Sequence, residues 1–123
     1  MTTAGANEVC MIIFPFGFYI LDGKSPVYVG NDLEAQNIVR AWKEANAEQV
    51  QLAFDELGPT RVSTVFEGWD HGASYRRMDQ APLLFETRVV GHLCDIEPRR
   101  YGDYDAALAG HAELVGRLKC MLR

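Results

Sequence analysis

The sequence predicts an α+β domain: an antiparallel sheet of four to six strands packed with two helices, the second closing the chain. Three observations carry this reading. Arg61–Gly68 and Leu83–Gly91 are rich in β-branched and aromatic residues and alternate along an extended chain. Two helix-period segments, about Asp32–Glu48 and from Asp103 to the end, each open at a capping residue, and Gly, Pro and Asp punctuate the intervals. With 123 residues the chain suits one core, so a single α+β domain over 1–123 is expected, with residues 1–7 fraying.

In chain order, Val9–Phe14 reads as a first strand, bent at Pro15-Phe16-Gly17 and resumed by Phe18–Leu21. The run Val9–Leu21 is too short to span about 30 Å of hydrocarbon, contains Pro15 and Gly17, and follows no basic region, so it is read as buried β-structure. Asp22-Gly23-Lys24-Ser25 is a hairpin turn returning through Val27–Val29. Asn31 is the expected N-cap of the first helix, with Glu34 in its first turn and Ala35, Ile38, Val39, Trp42 and Ala45 at helical spacing.

Val50–Leu57 is read as a strand, and Gly58-Pro59-Thr60 turns it into the first of two paired central strands. Val62, Thr64 and Phe66 share one side there; Leu83, Phe85, Thr87 and Val89 share one side of the next. His92–Pro98 is expected as a short edge strand closed by Arg99–Gly102. Asp103 then caps a helix with Ala107, Leu108, His111, Leu114, Val115, Leu118, Met121 and Leu122 on one face, and close packing is expected at Gly110 and Gly116.

The formal charge of −5 is uneven: residues 1–58 carry eight acids and three bases, residues 59–123 nine of each. An acidic body lacks the basic face that releases counterions from phosphates, so direct nucleic-acid binding is not expected. The acidic first half, with Glu34, Glu44, Glu48, Asp55 and Glu56, suits a basic protein partner or a DNA mimic. Cys10, Cys94 and Cys120 show neither CxxC nor zinc-finger spacing, so reduced thiols in the cytoplasm are expected, with no cofactor and no metal site.

The most reactive-looking residues are Asp70 and His71, after the first central strand, Glu86 in the second, and His111 on the apolar face of the last helix. Two imidazoles and two carboxylates suit a divalent metal or acid–base chemistry if they converge. The plainer reading of His111 is a buried ring hydrogen-bonded to a carboxylate or carbonyl. No GxSxG, GxGxxG or GxxxxGK[ST] pattern is present. For binding, the candidates are Trp69, Asp70, His71, Tyr75, Arg76, Arg77, Arg99 and Arg100, since Arg and aromatic residues favour interface hot spots.

Ser63–Phe66, Gly68, Asp70-His71, Leu83–Thr87, Arg100-Tyr101 and Gly110-His111 together form a pattern STVFxGxDH, LLFET, RY, GH. With Tyr19–Gly23, Pro26-Val27 and Trp42, this resembles a family of small uncharacterised proteins encoded by bacteriophages and by bacterial genomes carrying prophages. The resemblance implies a phage or prophage accessory protein without assigning an activity. The departures, Tyr75-Arg76-Arg77 in place of a glycine-rich loop and Arg88 where an apolar residue is typical, fit adaptation to a particular partner. The expected function is therefore non-enzymatic binding of a host or phage macromolecule, for example as an anti-CRISPR inhibitor of host defence. The alternatives are a small metal-dependent or acid–base enzyme using Asp70, His71, Glu86 and His111, and a structural virion protein that self-assembles.

Overall fold

A computed structural model of the chain describes residues 12–70, 81–91 and 96–121. Strands β1 (Ile13–Asp22) and β2 (Ser25–Asp32) pair antiparallel. Gly23 opens their two-residue turn at φ 65°, a left-handed value that glycine adopts without steric cost. The bend expected at Pro15-Phe16-Gly17 is an irregularity inside one strand, where the register shifts between Ile13 and Phe18 and again before Tyr19.

Helix α1 (Leu33–Ala45) is capped by Asp32, whose side chain accepts a hydrogen bond from Ala35 N–H at 2.9 Å. The expected cap, Asn31, is still in β2 because Asp32 pairs with Ile13, and its amide reaches Phe14 O instead. The helix also ends earlier than its periodicity implies. Asn46 donates both its backbone N–H and its side-chain amide to Trp42 O, each at 2.9 Å, which closes α1 and leaves a separate turn, α2 (Ala47–Val50).

Strands β3 (Gln51–Leu57), β4 (Thr60–Phe66), β5 (Phe85–Val90) and β6 (Arg99–Tyr101) form an antiparallel sheet in that order. Phe66 pairs with Phe85, Thr64 with Thr87 and Val62 with Val89, as the alternation predicts. Within the expected edge strand His92–Pro98, residues 92–95 lie outside the described residues and Ile96–Pro98 is irregular. The edge is Arg99–Tyr101, read from sequence as a closing turn; Pro98 has no N–H to donate, and pairing begins just after it, at Thr87↔Arg99.

The expected single sheet is thus two sheets, of two and four strands. They are stitched by a Phe18↔Trp69 bridge, with Tyr19 N–H donating to Gly68 O at 2.7 Å and Asp70 N–H to Gly17 O at 3.2 Å.

Helix α3 (Tyr104–Met121) lies on the Val62, Thr64, Phe66 face. Asp103 caps it by accepting from Ala106 N–H at 3.2 Å. Its buried residues, Ala107, His111, Leu114, Val115 and Leu118, follow the predicted stripe, whereas Met121 is exposed. Phe66 and Phe85, both wholly buried with ring centroids 5.3 Å apart, anchor this layer and contribute about 2–3 kcal/mol each by burial. At its start, Lys24 from the hairpin turn pairs with Asp105 at 3.2 Å and lies over the Tyr104 ring. Among the described residues no helix is long and apolar enough to cross a membrane.

Candidate functional site

Cross-strand partners share a face, so the register sorts the predicted site residues. One row across the sheet is Gln51, Val65, Glu86 and Arg100; the next is Phe54, Ser63 and Arg88; the third is Glu56, Arg61 and Val90. These rows make up the face turned away from α3, since Val62, Thr64 and Thr87 look toward the helix. Phe54 and Val90 are about half exposed on it.

Glu86, wholly buried, organises this face. Its Oε1 accepts from Arg88 Nε at 2.5 Å, and its Oε2 lies 3.1 Å from Arg100 Nη2. That second approach is an ion pair off the N–H axis, so Oε2 is left without a hydrogen bond among the described residues. Burial works to raise the Glu86 pKa, but the hydrogen bond and charge of Arg88, and then the charge of Arg100, outweigh it and hold the carboxyl below its ordinary range. The Glu67 carboxyl acts electrostatically on the same carboxylate. Burial first, and the charge of Glu86 second, push the Glu67 pKa up.

His111 belongs to a different constellation on the other face. Its Nδ1 is 2.7 Å from Thr64 Oγ1, which is 2.5 Å from Thr87 Oγ1, and its Nε2 is 2.7 Å from Asp55 Oδ2. A carboxylate only accepts, so Nε2 donates to Asp55; in the neutral ring Nδ1 accepts from the Thr64 hydroxyl. Hydroxyl, imidazole and carboxylate in this order are the atoms of a hydrolytic triad. Here Thr64 is 0% exposed, which leaves no room for an acyl carbon, and the chain instead ties α3 to β3, β4 and β5.

Glu86 and His111 therefore do not converge: adjacent residues of a strand point oppositely, and it is Thr87, not Glu86, that faces the helix. Arg99 and Arg100 separate in the same way. Arg99 reaches Glu113 on α3 at 3.3 Å, while Arg100 joins Glu86. Asp70 is buried, with its carboxylate accepting from Leu83 N–H at 3.0 Å, so it braces the connection between β4 and β5. His71, Tyr75, Arg76 and Arg77 lie outside the described residues. Among the described residues no group of three or more His, Cys, Asp or Glu is placed to hold a metal ion.

Trp69 enters a third arrangement, a shallow cleft of about 220 Å³ between α1 and β1, lined by Phe18, Gln36, Val39, Arg40, Lys43, Glu67 and Trp69. Its ring packs 5.1 Å from Phe16, which meets Phe14 and Phe18 at 5.2 and 5.3 Å. Burial lowers the Lys43 pKa, and the charge of Glu67 opposes that shift. Gly68, at φ 86°, brings the backbone against Val39: an added Cβ would stand 2.7 Å from Val39 Cγ1.

Sequence reasoning missed Asp55 and Thr64 as partners of His111, Thr87 as partner of Thr64, Glu67 as the charge neighbour of Glu86, and Gln36, Arg40 and Lys43 in the cleft. One signal was present: Glu67 continues the Ser63, Val65 alternation, which places it on the Glu86 side once the β4–β5 register is known. No protein-family model, curated protein or solved structure matches the chain.

Proposed function

We propose that this chain is a non-enzymatic binding module that docks a protein partner bearing acidic groups on the face of its four-stranded sheet turned away from α3. The phage-type resemblance of the sequence points the same way, to an accessory protein acting on another macromolecule. One observation carries the reading: a buried carboxylate, Glu86, holds two guanidinium groups in place beside the exposed apolar residues Phe54 and Val90. Arg88 meets Glu86 through Nε, and its side chain is 62% exposed. Arg61, opposite Glu56, stands two strand positions from Ser63 in the row shared with Val90. Preorganised arginines flanked by apolar area are what interface hot spots are made of, because little side-chain entropy remains to be lost on binding.

The test is capture from host lysate with wild-type protein and with a Phe54→Ser, Arg88→Ala variant, followed by titration of the purified partner. The reading predicts one reproducible acidic partner, bound at least about ten-fold more weakly by the variant. Equal capture by both proteins, preference for a single-stranded oligonucleotide, or concentration-dependent self-association in light scattering in place of a partner would each overturn it.

A further inference from the structure

The cleft beside Trp69 adjoins the Glu86 face at Glu67 and adds a chemistry of its own. Gln36, Val39, Arg40 and Lys43 recur at helical spacing, so one face of α1 forms a wall with two cations and an amide. The opposite wall is Phe18 and Trp69, braced by the ring cluster with Phe14 and Phe16. Lys43 is partly removed from water, and no carboxylate among the described residues stands within ion-pair range of it. Arg40 donates to Asn37, at 3.3 Å on the exposed side. An ammonium that has lost hydration, with the charge of Glu67 acting on it from beyond ion-pair distance, favours an anion that fits beside it.

We propose that this cleft binds a small planar organic anion, a single aromatic ring carrying one carboxylate. The carboxylate lies toward Lys43 and Arg40 and the ring lies against Trp69. The volume matches this class: cavities of about 150 Å³ accept benzene, and about 220 Å³ adds space for a carboxylate. Glu67 on the cleft wall, with its proton retained more readily than an ordinary carboxyl, lessens the repulsion an incoming anion meets.

The experiment is calorimetric titration of the full chain with benzoate, benzamide, acetate and inorganic phosphate, with amide chemical-shift mapping. Benzoate is expected to bind and to move the amides of Val39–Lys43 and Gly68-Trp69. Benzamide, lacking the charge, and acetate, lacking the ring, are each expected to bind roughly ten-fold more weakly or less. Lys43→Met, which keeps the apolar stem, is expected to lose a similar factor while circular dichroism shows an unchanged fold. Arg40→Gln provides a second, exposed variant with a smaller loss. The proposal fails if benzoate does not bind at millimolar concentration, if benzamide or phosphate binds as well as benzoate, or if folded Lys43→Met and Arg40→Gln both retain wild-type affinity.

Discussion

His111 Nε2 donates to Asp55 Oδ2 across 2.7 Å while the other ring nitrogen meets Thr64, so one imidazole spans from a half-exposed carboxylate to a fully buried hydroxyl pair. Helix α3 is thereby fixed in register against three strands by polar contacts within an otherwise apolar interface.

Removing that ring takes from the buried Thr64 hydroxyl its partner beyond Thr87 and opens a cavity. His111→Ala is expected to lower stability by about 2–4 kcal/mol in urea unfolding. Asp55→Asn, whose site keeps solvent access, is expected to cost about 1 kcal/mol or less. Equal losses for the two would contradict the burial difference between their sites.

The Glu67 and Glu86 carboxyls titrate in opposite senses. Glu86 is held below the ordinary 4.5, so it contributes stability above that value, and the contribution is lost as pH falls through its lower folded pKa. Glu67 is raised above 4.5, so it favours folding only in acid, and that contribution is lost as pH rises through its raised pKa. Glu67→Gln is therefore expected to raise Tm at pH 7, with the gain fading toward pH 4.5. Glu86→Gln is expected to lower Tm at pH 7, with the loss fading below 4.5. Thermal unfolding across this range checks both signs.

Gly110 and Gly116 both interrupt α3, yet for different reasons. A Cβ at Gly110 would overlap the Tyr101 ring and hydroxyl, whereas nothing lies within 4 Å of one at Gly116. Alanine normally stabilises a helix interior over glycine by about 1 kcal/mol. Gly116→Ala is expected to show that gain. Gly110→Ala is expected to reverse it, losing about 1–3 kcal/mol in chemical denaturation through overpacking.

The Asp32 cap predicts a smaller effect. Asp32→Ala leaves Ala35 N–H without its acceptor and is expected to cost about 1 kcal/mol, while Asn31→Ala costs less than half of that. A larger loss at Asn31, measured by thermal unfolding, would restore the cap position that the sequence suggests.

Elements that depend on neighbours a few positions away were legible in the sequence. The alternation of Val62–Phe66 and Phe85–Val89, the Asp22-Gly23 turn, the Asp103 cap and the buried stripe of α3 all follow from local geometry and side-chain period. That period also puts Glu86 and Thr87 on opposite faces, but it does not say which face a distant helix covers. Only the tertiary structure decided that Thr64, bonded to Thr87, meets His111 and that Glu86 meets Arg100. Asp55, 56 positions from His111, becomes its partner through β3 register and helix docking together. The cleft at Lys43 likewise exists only because Gly68 and Trp69 pair with β1 beneath α1. The physical reason is that hydrogen bonds and ion pairs act over a few ångströms, so the meeting of residues far apart in the chain is set by how packed layers align, which no local pattern encodes.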